Sequence, residues 1–229
     1  MLDDALSHDK VARLLSTNEF SARDLWLSVK RSVREHETPD ACLIFDDAIV
    51  HKPHTDENAL VAWHFDHTEN RAVKGINLLT AFYHAQLPDQ ELPLRVPVRD
   101  EAVNKEMRFC DVQTRKEKRQ SSVAKNELRR QLVEQSVKNQ LTFRYVLADS
   151  WFASAENMLF ICRRQKFFIF DLKSNRQAST SPETRIKGQL ISIDELRLPE
   201  NTPGRLDLKD LEIEVVVCRQ VFRNENLTV

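Results

Sequence analysis

The sequence predicts an α/β fold: a mixed sheet with flanking helices, an N-terminal helical segment before it and a β-rich insertion after it. Three observations predict this. Apolar positions recur at helical spacing through residues 1–38. Short apolar runs with β-branched members follow at 41–50, 60–65, 76–83 and 92–98. From residue 101 onward, helix-like and strand-like segments alternate, and that alternation is the pattern of a layered α/β domain.

In the first segment Val11, Leu14 and Leu15, then Leu25, Val29 and Val33, recur at three- and four-residue spacing, which lines one side of a helix. Ser21 stands three residues before Asp24, the spacing of a capping box ahead of Leu25-Trp26-Leu27. Thr38-Pro39 closes the segment, because the residue before a proline avoids the helical region. Residues 41–50, ACLIFDDAIV, read as a buried central strand. Two carboxylates in such a strand are costly unless something compensates them, and that is the first functional signal. A polar loop at 51–59 leads to strands at 60–65 and 76–83, with Lys74-Gly75 between them, and to a shorter strand at 92–98.

Residues 101–140 read as a charged helical region. Its second half carries an apolar stripe of Leu128, Leu132, Gln135, Val137 and Leu141. It also contains the basic run RKEKR at 115–119, and between 101 and 150 eleven Lys or Arg stand against seven Asp or Glu. The strand at 143–147 runs into Ala148-Asp149-Ser150. Ser154 suits the cap of a following helix, and 166–172 reads as the next strand. Residues 178–210, with Pro182, Pro199 and Pro203, read as an irregular insertion holding a short strand at 189–193. A strand at 211–222 follows.

With 229 residues the chain makes one large domain or one and a half. The boundaries read as a helical segment at 1–38, a core at 39–177 and the β-rich insertion at 178–229. Lys plus Arg gives 34 and Asp plus Glu 35, a net charge of −1, which excludes a histone-like polycation but not a local basic patch. Apolar residues make up 41%, enough for a core. Gly75, Gly188 and Gly204 are the only glycines, so neither GxGxxG nor GxxxxGK phosphate loops exist. No run of 18 apolar residues is present, and the acidic start lacks the apolar stretch of a signal peptide. Cys42, Cys110, Cys162 and Cys218 form no CxxC pair, and they read as buried, reduced thiols of a cytosolic protein.

Asp46 and Asp149 form the strongest pair. Each sits on or just after an apolar strand. Three strands, a helix and a fourth strand is the layout of a ribonuclease-H-like sheet, in which the first and fourth strands are neighbours. Carboxylates brought together in this way repel unless a divalent cation lies between them, and their oxygens suit Mg²⁺ or Mn²⁺. Asp46 and Asp47 are adjacent and point to opposite faces, so only one can face Asp149, and periodicity does not choose. The histidines offer a rival set: His51 and His54, and His64 and His67, both have HxxH spacing, with Asp66 inside the second pair. Zinc accepts such ligands, although no helical HExxH frame is present.

Residues 44–79, IFDDAIVHKPHTDENALVAWHFDHTENRAVKGINLL, resemble the first catalytic segment of insertion-sequence transposases of the DDE superfamily. The nearest groups are those named after insertion sequences four and seven-hundred-one. YVLADSWFAS (145–154) resembles the second catalytic segment, FDLKSNR (170–176) the strand after it, and LSHDKVARLL (6–15) the helical segment before the core. The resemblance implies a ribonuclease-H-like nuclease and strand transferase. Mg²⁺ or Mn²⁺ would be held by Asp46 and Asp149, with Asp47 the alternative to Asp46. Water and then a DNA 3′-hydroxyl would attack a phosphodiester. Transposon-end DNA is the implied partner. By its charge the RKEKR run reads first as a solvated face and otherwise as a phosphate-contacting surface, and the candidate DNA contacts are Arg115, Lys116, Lys118, Arg119, Lys173 and Arg176. A homodimer is compatible with it, and the implied setting is the cytoplasm of a bacterium, at the nucleoid.

The family's third acid is a Glu on a later helix rich in Tyr, Arg and Trp. Here the tyrosines are Tyr83 and Tyr145, no tryptophan follows Trp151, and Glu195, Glu212, Glu214 and Glu225 lie in the insertion or the terminal strand. The expectation is a truncated transposase core, ending before that helix and inactive alone. Its alternatives are a non-catalytic DNA-binding remnant and a zinc-dependent hydrolase built on the histidines.

Overall fold

The computed structural model describes residues 7–87 and 91–221. The predicted residues 1–6, Phe222 and Glu225 lie outside them. The described chain divides into two compact units: residues up to Ala148 with Lys166–Ile169, and Asp149–Gln165 with the residues from Phe170 onward.

The first unit opens with α1 (His8–Thr17) and α2 (Ala22–Glu35). The predicted box forms at α2, where the Asp24 carboxylate accepts from the Ser21 backbone N–H at 2.8 Å and from its hydroxyl at 2.6 Å. Trp26 and Val33 are buried on α2, while Leu14 of α1 is exposed. The strands are β1 (Cys42–His51), β2 (Ala62–Asp66), β3 (Arg71–Ala85), β4 (Leu94–Ala102), β5 (Met107–Cys110), β6 (Glu117–Gln120), β7 (Tyr145–Ala148) and β8 (Phe167–Phe170), with α3 (Lys125–Lys138) before β7.

A six-stranded mixed sheet runs in the order β2-β3-β1-β7-β8, with β4 on the same edge of β3 as β2. The fifteen-residue β3 reaches both: β2 pairs with residues 71–75 and β4 with residues 78–85. β1 is antiparallel to β3 and parallel to β7, so it is central, as its apolar sequence predicts. It is not buried on both faces. Leu43 and Phe45 are buried, whereas Asp46, Ala48 and Val50 are exposed, because only one side of this strand is covered.

Helices α2 and α3 pack on β4. Arg34 of α2 donates to the carbonyls of Asn139 and Gln140 at 2.7 and 2.6 Å, which also satisfies orphan carbonyls at the end of α3. The fully buried Tyr83 donates its hydroxyl to the Thr142 carbonyl at 3.0 Å. The helical stripe on α3 is rotated from the predicted one. Leu128, Leu132, Val133, Ser136 and Arg129 are buried, and Val137 is exposed.

Three other expectations are corrected. The region 101–140 is not continuously helical, because β5 and β6 form an antiparallel hairpin. Its residues are nearly all exposed, so the charged sequence read as a helix face is a solvated ribbon. Lys74-Gly75 lies within β3, and the β2–β3 turn falls at 67–70, where Asn70 adopts φ 50°. The cysteines are all free, but Cys110 and Cys218 are exposed: Cys110 ends the solvated strand β5 and Cys218 lies just past the end of β12.

In the second unit Ser154 caps α4 (Ala155–Cys162), accepting from the Asn157 N–H at 3.2 Å. The insertion is more regular than its prolines suggest. β9 (Gln177–Ser179), β10 (Ile191–Ser192), β11 (Gly204–Leu208) and β12 (Glu214–Val217) form a sheet in the order β10-β9-β11-β12, with α5 (Pro182–Ile186) between β9 and β10. Ala178, Leu206, Leu208, Leu211 and Val215 are its buried apolar residues.

Gly75 is needed for close approach. A Cβ there would lie 2.4 Å from the Val50 carbonyl oxygen and 2.9 Å from Ile49 Cγ2. Backbone cannot yield cheaply in the centre of a sheet. Gly75→Ala is therefore expected to destabilise the chain by about 1–3 kcal/mol, read as a lowered urea midpoint with an unchanged slope.

Candidate functional site

Strand alternation sends Asp46 and Asp47 to opposite faces of β1, and the two faces differ chemically. Asp47 is half-buried under α3. Its carboxylate accepts from Lys125 Nζ at 2.6 Å, Arg129 Nη2 at 2.9 Å and Asn77 Nδ2 at 3.3 Å. Burial pushes this carboxyl up, but the hydrogen bond and charge of Lys125 and the charge of Arg129 outweigh it, holding it below the usual carboxylate range. Asp47 is therefore a counter-ion, with its lone pairs committed to cations.

Asp46 is exposed, and its Oδ1 accepts only its neighbour's backbone N–H, at 2.9 Å. Among the described residues it forms no ion pair. Register places Thr80 opposite Asp46, and Asp100 opposite Thr80 on the next strand, so the three occupy one row on one face. Asp100 was invisible to sequence reasoning, since its place in this row depends on the β3–β4 pairing.

Asp149 is the first residue after β7 and is exposed. Its carbonyl accepts from the Phe152 N–H at 3.2 Å, a turn that leads to the Ser154 cap. In the same unit the Lys173 ammonium lies 3.7 Å from the centroid of the Trp151 ring. Arg176 donates to the Lys209 carbonyl at 3.3 Å.

The RKEKR run divides within the β5–β6 hairpin. Arg115, at φ 55°, and Lys116 are exposed. Lys118 is ion-paired with Asp111. Arg119 is largely buried and lies 3.4 Å from Glu57.

Among the described residues the group of three potential metal ligands is not built on an HxxH pair. His51 instead meets Asp66 at 3.5 Å and Glu69 at 3.8 Å, and the three ligand atoms lie within 4.8 Å of one another. The trio is at the surface, with Glu69 also ion-paired to Arg71. His54 is exposed in the loop, and His67 sits in the β2–β3 turn. His64 is buried, and burial first, then the charges of Lys105 and Lys125, push its pKa down to about 4. It is a neutral core histidine at neutral pH. Among the described residues no helix is long and apolar enough to cross a membrane.

A sequence model of the family described as DDE superfamily endonuclease matches residues 2–188. No curated protein matches the chain. Among solved structures, the Drosophila P element transposase strand transfer complex is similar at 12% identity and a TM-score of 0.32, over 72% of this chain. The match spans 35% of the length of that chain.

The contrast between the two aspartates has a stability signature. Asp47→Asn removes the counter-ion of Arg129, whose side chain is 3% exposed, and is expected to cost about 3 kcal/mol. Asp46→Asn is expected to change stability by less than about 0.5 kcal/mol. Because the Asp47 carboxyl is depressed in the folded state, its contribution is full above the unfolded carboxyl pKa, near ~4, and lost as pH falls through the folded value. His64, also depressed, contributes fully above ~6.5 and loses that contribution as pH falls toward about 4. Urea denaturation of the three proteins between neutral and acid pH checks both, and the Asp47-dependent acid loss should be absent from Asp47→Asn.

Proposed function

The chain belongs to the DDE superfamily endonuclease family, and on that premise we propose that it is the core of a DNA transposase, cleaving and joining strands at a divalent metal held by Asp46 and Asp149. The observation that carries this reading is the contrast on β1: Asp47 is neutralised by Lys125 and Arg129, whereas Asp46 presents an exposed carboxylate without a competing cation. A hard oxygen donor of this kind fits Mg²⁺ or Mn²⁺. Asp47 does not fit, because a metal would have to displace two cationic partners, an ammonium and a guanidinium.

Two features of the first unit support Asp149 as the second ligand and a ribonuclease-H-like sheet as the frame. β1 lies between an antiparallel β3 and a parallel β7. In the parallel register Ile44 is opposite Leu147, and Asp46 and Asp149 each follow their member of that pair by two residues. When bound, the ion would lower the pKa of the attacking hydroxyl and stabilise the charge on the leaving oxygen.

The chain's own residues divide the remaining work. Asp46 and Asp149 hold the ion. Asp47, through Lys125 and Arg129, keeps β1 oriented. Arg115, Lys116, Lys118, Arg119, Lys173 and Arg176 are the proposed phosphate contacts, with Arg115 and Lys116 the best placed because both are exposed and, among the described residues, neither forms an ion pair. In this reading transposon ends are the substrate, a homodimer brings two ends together, and the work is done on the bacterial nucleoid.

Two measurements test the proposal. Mn²⁺ titration followed by electron paramagnetic resonance should show binding weakened at least about ten-fold by Asp46→Asn and by Asp149→Asn. Unchanged affinity in both, with loss in Glu69→Gln, would move the ion to the His51–Asp66–Glu69 trio and overturn the assignment. Binding of end-bearing duplex that depends neither on Mn²⁺ nor on Asp46 would favour a non-catalytic DNA-binding protein. For the phosphate contacts, Arg115→Ala with Lys116→Ala should flatten the dependence of log affinity on log salt by roughly one unit per contact. Arg119→Ala should change it less, since its guanidinium already faces Glu57.

A further inference from the structure

β2 is an edge strand with an unusual outer row. Trp63 is 54% exposed and Phe65 is 52% exposed. They are two residues apart, so both rings stand on one face, about 7 Å apart along the strand. The edge of the Phe65 ring is met by His67, with centroids 4.8 Å apart and planes at 66°, which extends the aromatic row into the turn. Two large rings left open side by side cost solvation energy, whereas Tyr83, Phe143 and Phe152 of the same chain are completely buried.

Positive charge surrounds the row. Lys74 is directly opposite Trp63 on β3 and therefore on the same face. Lys105 reaches the edge, donating from Nζ to the Trp63 carbonyl at 2.5 Å. The small Ala72 is opposite Phe65 and leaves that ring uncovered. The nearby acids are already engaged. Asp66 accepts from the Thr68 and Glu69 N–H groups, and Glu69 is ion-paired with Arg71.

The row also shares a face with Asp46. Thr80 is opposite Asp46 and Lys74 is opposite Trp63. Those two β3 residues are separated by an even number of positions, so all four side chains point the same way. The separation along β3 is roughly 20 Å.

We propose that Trp63 and Phe65 form a stacking platform for unpaired bases of the DNA strand that runs on this sheet face from Asp46. Exposed rings spaced along a strand and fringed by lysines are what single-stranded nucleic acid requires: π-faces for the bases and cations for the backbone. The platform is sequence-tolerant because every base offers a π-face. It rests on the DNA reading above and adds that the substrate carries, or acquires, an unpaired segment away from the cleavage point.

The test uses the full chain with a labelled oligo-dT and a blunt duplex of equal length, read by fluorescence anisotropy across a salt series. Trp63→Ala and Phe65→Ala should each weaken oligo-dT binding at least about five-fold, the lower end of base–aromatic stacking. The salt slope should be unchanged, since no phosphate contact is lost, and duplex binding should be unaltered. Trp63→Phe should restore most of the affinity, which a mere folding role for an exposed ring would not require. Equal oligo-dT affinity in wild type and both alanine variants would overturn the platform. So would a change in oligomeric state on sedimentation with DNA binding intact, which would make the row a contact between copies of this chain. If the platform fails while Asp46-dependent metal binding persists, the transposase reading stands alone.

Discussion

A guanidinium that is 3% exposed cannot be held against a sheet without a counter-ion, because desolvating an unpaired charge costs several kcal/mol. Arg129 on α3 meets that need with Asp47, and Lys125 one turn earlier on the same helix shares the carboxylate. This ion triad fastens α3 to the central strand. It also fixes which side of β1 faces the helix. Since successive strand residues alternate, committing Asp47 inward leaves Asp46 outward. The availability of an oxygen donor on the open face thus follows from electrostatics on the covered one.

The same alternation organises the rest of the first unit. The long β3 pairs with β1, β2 and β4, shifting register against β4 between Ala81 and Phe82, and a side chain's parity on β3 tells which face it serves. On the covered face lie Asn77, Leu79, Ala81 and Tyr83, all buried. On the other lie Thr80 with Asp46 and Asp100, and at the far edge Lys74 with Trp63. The open face is therefore not a random exposure of apolar residues. It carries carboxylates near its centre and aromatics with lysines at its edge, a distribution suited to a charged polymer with π-faces.

Neutralisation also separates the cations that remain for a ligand from those that serve the fold. Lys125, Arg129, Lys118 and Arg119 each face a carboxylate. A near-zero net charge thus leaves Arg115, Lys116 and Lys74, which among the described residues form no ion pair, as cations open to phosphate. His64 follows the same logic from the other side: buried and close to the charges of Lys105 and Lys125, it remains neutral and fills the core.

By itself the sequence determined the elements whose signals are local. The Ser21 and Ser154 caps, the apolar runs that became β1 and β7, and the polar loop after β1 are written in a few adjacent residues. So is the DDE resemblance carried by residues around Asp46 and Asp149. The hairpin at 107–120 was not legible, because its charged, exposed residues have no periodicity to distinguish a ribbon from a helix face. Nor was the place of Gly75, which is a glycine because Val50 of a neighbouring strand approaches it. The choice between Asp46 and Asp47 was open in the sequence for a stated reason, since adjacent strand residues are equivalent until one face is covered. Only the tertiary structure shows which of the two is turned toward α3, and it is Asp47. The deciding partners, Lys125 and Arg129, lie far along the chain, and pairing and register at that distance are set by packing rather than by any local pattern.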